Sequence, residues 1–202
     1  DGKMHLPLYR SLYLNKMLEE DGEIYSDRDS HFRKIVKAFK TVEDADYEIP
    51  SGLSRIMRNY QKNGYKWMRT LAERQFGGIL ADDMGLGKTL QMIAVLLAAK
   101  LENTAEHIVS LVVSPASLVF NWGEEFARFA PELKVCLLTG AQTERQKMID
   151  SYQDYDVLVT SYDLLKRDIH LYEKCQFEYQ VIDEAQYIKN HTITAAKAVK
   201  VI

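Results

Sequence analysis

From about residue 51 onward the sequence predicts an α/β fold with a mostly parallel central sheet flanked by helices. Short runs of Val, Ile and Leu alternate with helical patterns, which is the order of βαβ units. Those runs are apolar throughout rather than alternating with polar residues, as strands covered on both faces by helices are. With 202 residues and 47% apolar content, the chain can bury one such domain and carry a smaller appendage.

The appendage is residues 1–49, which are rich in charge and Tyr and hold no strand-like run. Phe32, Ile35, Val36 and Phe39 recur at i, i+3, i+4 and i+7, so a helix there has one apolar face. Asp29 or Ser30 is placed to cap its start. The expected form is a small helical extension packed on the main domain. The acidic stretch TVEDADYEIP, ending at Pro50, reads as a linker.

The main domain then runs in order. A helix is expected from Leu53 to Arg74, followed by a strand through Ile79, Leu80 and Ala81 into the glycine turn DDMGLGKT. The next helix turns Leu90, Ile93, Ala94, Leu97 and Leu101 to its buried side. A strand from Ile108 to Val113 is closed by Ser114-Pro115, and a helix carries Phe120, Trp122, Phe126 and Phe129. Strand Val135 to Leu138 follows, then a helix at whose start Thr143 and Gln146 have capping-box spacing. Strand Asp156 to Thr160 leads into a short helix after Ser161. The last strand, Tyr179 to Ile182, runs straight into DEAQ. Ligands of such sheets bind at the carboxyl ends of the strands, and both the glycine turn and DEAQ are expected there, on one edge.

Bulk properties exclude several classes. The formal charge is -3 and the sequence pI about 6.0, so net charge gives no support to nucleic-acid binding. The two cysteines, Cys136 and Cys175, have no partner at metal-ligand spacing, which fits a reducing compartment. The five histidines show no paired spacing, so no metal other than Mg2+ is expected. No apolar run approaches the roughly 20 residues that cross a bilayer, and DGKMHLPLYR lacks the pattern of a signal peptide. The chain begins at Asp1 rather than Met, which points to a fragment. The expectation is a soluble cytoplasmic protein.

The chemistry sits in three places. In DDMGLGKT, Gly87, Lys88 and Thr89 match the second half of the phosphate-loop pattern, while Asp82 stands where its first glycine belongs. Gly85 and Gly87 can take backbone angles that aim successive N–H groups at one phosphate, and the helix starting near Lys88 adds its positive end. Lys88 is assigned to the β and γ phosphates and the Thr89 hydroxyl to Mg2+. In VIDEAQ, two adjacent acids end a buried strand, which is costly unless a cation is bound. Asp183 is assigned to the Mg2+ shell and Glu184 to the attacking water. Upstream, Gln61 has the donors and acceptor to read an adenine edge, although alone it reads as a surface residue. Arg55, Arg58, Lys62, Lys66, Arg69 and Arg74 oppose only Glu73 around it, a basic helix end suited to phosphates or to solvent. Trp122, Phe126 and Phe129 read as core rather than a base-stacking platform, and Trp67 as the anchor of its helix.

In this order, ILADDMGLGKTLQ, VVSPASLVFNWGEEFARF, VLVTSYDLL and VIDEAQYIKN resemble the successive motifs of the Swi/Snf-type family of helicase superfamily two. MRNYQKNGYKWM is similar to that family's upstream glutamine motif, and LPLYRSLYL and IPSGL resemble bacterial members. The match spans about residues 53 to 190. DDMGLGKT is the family's own variant of the phosphate loop, and Asn121, Trp122, Glu125 and Phe126 after a Ser-Pro turn are typical of it. The resemblance implies the first RecA-like lobe of an ATP-dependent double-stranded DNA translocase that remodels protein-DNA complexes. By the same resemblance Lys88, Asp183 and Glu184 are catalytic, and Thr89 and Asp183 hold Mg2+. The nucleotide set is Gln61 (adenine), Arg58, Asp83, Met84, Gly85, Gly87, Lys88 and Thr89. Ser114, Pro115 and Ala116, with Thr160, Ser161 and Tyr162, fall where the family lines its duplex-DNA track. Cofactors are then ATP and Mg2+, partners are DNA and a protein, and the setting is the bacterial cytoplasm at the nucleoid.

There are two departures. Gln186 stands where His is common. The family's next motif and the second lobe, with its arginine finger worth roughly 10³ to 10⁵ in rate, do not follow DEAQYIKN, so the chain alone is expected to hydrolyse ATP negligibly. Two other readings stay open. One is an RNA helicase lobe of the DEAD-box kind, which calls for a terminal Asp in DEAQ and a different phosphate loop. The other is a nucleotide-gated scaffold that binds a protein without transport.

Overall fold

The computed structural model describes residues 46–201 apart from Met84, Thr104 and 190–193. The amphipathic stretch with Phe32, Ile35, Val36 and Phe39, and Met84 of the glycine turn, lie outside the described residues. The chain divides into two compact units. One contains 46–49 and Met57–Lys88; the other contains Pro50–Ile56 and everything from Thr89.

The helices and strands, in chain order, are α1 (Ser51–Ser54), α2 (Asn59–Glu73), α3 (Lys88–Glu102), β1 (Ser110–Ser114), α4 (Val119–Phe129), β2 (Val135–Leu137), α5 (Gln142–Asp150), β3 (Val157–Ser161), α6 (Tyr162–Asp168), β4 (Tyr179–Ile182) and α7 (Thr194–Val201). The four strands form one sheet in the order β2-β3-β1-β4, every pair parallel. Leu111 of β1 faces Leu158 of β3, Val112 faces Val181 of β4, and Cys136 of β2 faces Leu158. β1 and β3 are buried along their whole length, as all-apolar runs between helices require.

Alternate residues of a strand point to opposite faces. Leu111, Val113 and Leu158 join Ile149 of α5, Tyr162 and Leu165 of α6 and Val199 of α7 in one core. α4 packs on β2 and β3. Its Gly123 is what allows the close approach, because a Cβ there would sit 2.8 Å from Leu137 Cδ1.

Two charged clasps tie the layers. Arg145 of α5 reaches Asp168 of α6 in a fork, Nε to Oδ2 at 2.6 Å and Nη2 to Oδ1 at 3.0 Å, and Nη1 donates to the Gly140 carbonyl at 2.5 Å. Both partners are buried, and the paired donors and acceptors are what make that burial tolerable. At the amino edge of the sheet, buried Asp156 accepts from Lys100 Nζ (2.6 Å) and from the Lys134 amide (2.7 Å), while Lys100 also donates to the Glu132 carbonyl. This joins the end of α3 to the turns that open β2 and β3.

In the smaller unit α2 buries Gln61, Tyr65, Arg69, Thr70 and Leu71. Trp67, expected to anchor this helix, is half-buried and lies beside Gly78, where a Cβ would meet Leu71 Cδ1 at 2.4 Å and Trp67 Cη2 at 2.8 Å. The described end of the acidic stretch is clasped to this helix. Tyr65 donates to the Glu48 carbonyl at 2.7 Å, Tyr47 donates to Glu73, and the Arg69 guanidinium lies 5.3 Å over the Tyr47 ring. Burial, then the Glu73 carboxylate, pushes the Tyr47 phenol up to about 12.

Several local expectations are corrected. The helix expected from Leu53 to Arg74 is broken at residues 55–58. The strand expected at Ile79–Ala81 forms no ladder among the described residues, and Ile79 is 80% exposed; apolar residues alone do not make a strand without a neighbour. Leu101 lies on the solvent side of α3, 55% exposed, because it falls at the helix end. The start of α5 is held by Glu144, whose carboxylate accepts from the Ala141 amide at 2.9 Å, rather than by Thr143 and Gln146. Gln146 instead donates to Asp150 one turn on.

Removing one partner of the Arg145–Asp168 fork leaves a buried unpaired charge, which costs about 3–5 kcal/mol. Urea denaturation of Asp168→Ala is expected to show a loss of that size at an unchanged slope, whereas Lys166→Ala, which breaks only the exposed pair with Asp163, is expected to change stability by less than about 1 kcal/mol.

Candidate nucleotide site

The glycine turn lies in the smaller unit. Gly85 and Gly87 have φ of 82° and 71°, a region that residues with a Cβ rarely enter. At Gly87 the constraint is doubled, since a Cβ would also lie 2.4 Å from Gln61 Nε2. Lys88 Nζ donates to the Asp82 and Asp83 carbonyls at 2.7 and 3.0 Å, which closes the turn on itself and holds the ammonium beside the loop backbone.

Gln61 is buried rather than on the surface. Its Oε1 accepts from the Arg58 amide at 2.9 Å, and its Nε2 donates to the Leu86 carbonyl at 3.0 Å. Tyr60 donates to the same carbonyl at 3.1 Å. The start of α2 is therefore fastened to the glycine turn by two neighbouring side chains. A primary amide has two N–H donors and two acceptor lone pairs, so one of each remains for a planar ring edge. Of the basic residues around it, Arg69 is buried against Tyr47, which removes it from the set facing solvent.

The larger unit carries Thr89, Asp183 and Glu184. Thr89 lies in the first turn of α3 and is half-buried. The β1–β4 ladder continues one residue past β4, since the Asp183 amide donates to the Val113 carbonyl at 2.9 Å. This fixes where the acid pair leaves the sheet. Asp183 Oδ1 accepts from the Glu184 amide at 2.9 Å, and Oδ2 accepts from Trp122 Nε1 at 2.9 Å. Tyr162 donates to the Asp183 carbonyl at 2.6 Å and stacks on Tyr187, with centroids 5.5 Å apart and planes 10° apart. Burial, and then the nearby Asp183 and Glu184 carboxylates, hold the Tyr162 phenol above its ordinary range, so it remains a donor.

Glu184 is at φ 50° and ψ 52°, a left-handed conformation that costs a non-glycine residue about 1–3 kcal/mol and clusters at functional sites. Its carboxylate accepts from Gln186 Nε2, the residue that departs from the family's His.

The Asp183 carboxylate uses two of its roughly four lone-pair positions, leaving oxygen for a hard cation. Among the described residues no group of three His, Cys, Asp or Glu could hold a metal.

The expected DNA-track residues lie at and just past the carboxyl ends of β1 and β3. Ser114, Pro115, Thr160, Ser161 and Tyr162 are buried, while Ala116 is exposed. Ser114 Oγ donates to the Pro115 carbonyl, and Ser161 Oγ accepts from the Leu164 amide as the cap of α6.

Sequence reasoning missed the contacts of Trp122 and Tyr162 with Asp183. A buried indole N–H needs an acceptor, which was the available signal; the identity of the acceptor, 61 residues away, was not legible.

Comparison with known proteins agrees with this geometry. Residues 60–202 match the SNF2-related domain, and residues 1–50 match the bacterial SNF2 helicase associated domain. An uncharacterized ATP-dependent helicase of Mycoplasma pneumoniae is 42% identical over 170 residues, which cover 82% of this chain and 16% of that protein. The TATA-binding protein-associated factor MOT1 of Saccharomyces cerevisiae is 36% identical over 98% of this chain and 11% of its own length. Among solved structures, the Sulfolobus solfataricus SWI2/SNF2 ATPase core in complex with dsDNA is 44% identical, with a TM-score of 0.67, over 77% of this chain and 31% of that one. The chain thus spans a small part of the length of these relatives. On a family match that covers residues 60–202 and a parallel sheet of the RecA-like kind, this chain belongs to the SNF2-related family.

Proposed function

We propose that this chain is the ATP-binding lobe of an ATP-dependent double-stranded DNA translocase that remodels protein-DNA complexes. The observation that carries the reading is the pairing of two sets in one SNF2-related chain. One is a glycine turn with two left-handed glycines, Lys88 and a buried Gln61. The other is an acid pair fixed at the carboxyl end of a parallel strand.

Lys88 contacts the β and γ phosphates, exchanging its two loop carbonyls for phosphate oxygens as a stronger, charge-assisted pair. The amides of Asp83, Gly85 and Gly87 line the phosphate turn, and Met84 belongs to the same nucleotide set by the family resemblance. Gln61 reads the adenine edge with its remaining donor and lone pair, and Arg58 supports it through the amide that Gln61 accepts from. Thr89 and Asp183 hold Mg2+, which when bound neutralises charge on the transferring phosphoryl oxygens. Glu184, set by its left-handed backbone and by Gln186, orients the attacking water.

Duplex DNA is the polymer partner, as it is for the solved Sulfolobus solfataricus core. Thr160, Ser161 and Tyr162 are buried and Ser114 is turned to its own chain, so their part in the DNA track is to shape it. Phosphates are met at the exposed residues Ala116 and Ser117, since backbone and hydroxyl groups bind phosphate without reading sequence. A protein partner is the substance remodelled, and the setting is the bacterial cytoplasm at the nucleoid.

Three outcomes are expected. By calorimetry, Lys88→Ala weakens Mg-ATP binding by about tenfold or more, the value of one charge-assisted hydrogen bond; equal binding by both proteins would remove Lys88 from the phosphate site. Gly87→Ala weakens nucleotide binding as strongly, because its Cβ displaces Gln61 as well as straining the turn, whereas Gly52→Ala, with open space around it, leaves binding unchanged. In the full-length protein Glu184→Gln lowers kcat by roughly 10² to 10⁴ while Mg-ATP binding persists; a variant that keeps its turnover takes the water-orienting role away from Glu184.

A further inference from the structure

We infer that Trp122 is a positioning residue for the Mg2+ ligand Asp183, acting through its indole N–H; the inference rests on the nucleotide reading above. Trp122 is 3% exposed, so by burial alone it is a core residue of α4. Its one polar atom nevertheless lies 2.9 Å from Asp183 Oδ2. The other carboxylate oxygen is taken by the Glu184 amide at 2.9 Å. One neutral donor on each oxygen fixes the plane of the carboxylate and leaves a further lone pair of each oxygen available.

The indole is itself held against rotation. Phe126, one turn on, packs beside it with ring centroids 5.7 Å apart. Gly123, the next residue, brings α4 close to β2, where an added Cβ would lie 2.8 Å from Leu137 Cδ1. The Asp183 main chain is pinned from two sides, by its amide on the Val113 carbonyl and by Tyr162 on its own carbonyl. The fold thereby pins the Asp183 main chain, and Trp122 together with the Glu184 amide orients its carboxylate. An indole suits the task because it donates without carrying charge. A lysine or arginine there would offset the carboxylate charge that draws the cation. Outer partners of metal ligands act in this way, and losing one costs about 10- to 100-fold in metal affinity.

The test is the Mg2+ dependence of ADP binding by the full-length protein, measured in excess Mg2+ and in EDTA, for the wild type and for Trp122→Phe. Phenylalanine keeps an aromatic ring against Phe126 and deletes the donor. The expected result is that Mg2+ strengthens ADP binding about 10- to 100-fold less in the variant than in the wild type, with the EDTA affinity unchanged within twofold. In an Asp183→Ala background the same substitution is expected to add no further loss, because its effect passes through that carboxylate. Should phenylalanine disturb folding, 3-benzothienylalanine at position 122 replaces the N–H by sulfur at the same shape and is expected to give the same loss. An unchanged Mg2+ effect in a folded variant, or an equal loss with and without Asp183, would overturn the inference while leaving the nucleotide reading intact. A wild type whose ADP affinity ignores Mg2+ would overturn both. Loss of ADP binding in EDTA for the Lys88→Ala protein but not for Trp122→Phe separates the phosphate turn from the role assigned to Trp122.

Discussion

The larger unit depends on one strand. β1 hydrogen-bonds to β3 on one side and to β4 on the other, both parallel, and it is buried from Ser110 to Ser114. A parallel sheet must be covered on both faces, so the chain must return through α4, α5 and α6 between strands. Once it does, every strand ends on the same edge. Ser114-Pro115, Ser161-Tyr162 and Asp183-Glu184 leave the sheet there because β1, β3 and β4 share one register, not because those residues attract one another. The opposite edge is closed by Asp156, Lys100 and the Lys134 amide, which stiffens the end that carries no chemistry.

From that edge the acid pair inherits its geometry. Asp183 is held by the ladder through its amide, and by Trp122 and Tyr162 through its carboxylate and carbonyl. Glu184 is then forced into a left-handed conformation. The strain is tolerated because the residues on both sides are anchored, Asp183 to the sheet and Tyr187 to the ring of Tyr162. The glycine turn in the smaller unit solves a different problem by the same means. Two glycines supply angles that other residues resist, and Lys88 and Gln61 fasten the loop carbonyls. In both places the backbone is fixed first and the charged group is carried on it.

The sheet was largely legible in the sequence. Tyr179–Ile182 is a strand within the bounds expected, and β1 and β3 are displaced by only a residue or two, since all-apolar runs between helical patterns have few other readings. The stretch Ile79–Ala81 has the same apolar character and forms no ladder among the described residues; strand formation is a property of a pair, and a single run does not name its partner. The α5 cap was misplaced because Thr143 and Glu144 both offer capping oxygens, and spacing alone does not choose between them. For the candidate site, residue types and order single out Lys88, Thr89, Asp183, Glu184 and Gln61. What the sequence hid was how they are held: that Gln61 is buried between Arg58 and Leu86, and that a tryptophan read as core also ends on a carboxylate. The Gln61–Leu86 and Trp122–Asp183 contacts join distant segments, which no local pattern encodes.

The most direct test of the account is ATP hydrolysis by the full-length protein with duplex DNA, single-stranded DNA or RNA added at equal nucleotide concentration. The account predicts turnover stimulated by duplex DNA above the other two, and abolished by Asp183→Asn. Stimulation by RNA alone, or turnover indifferent to any nucleic acid, would contradict it.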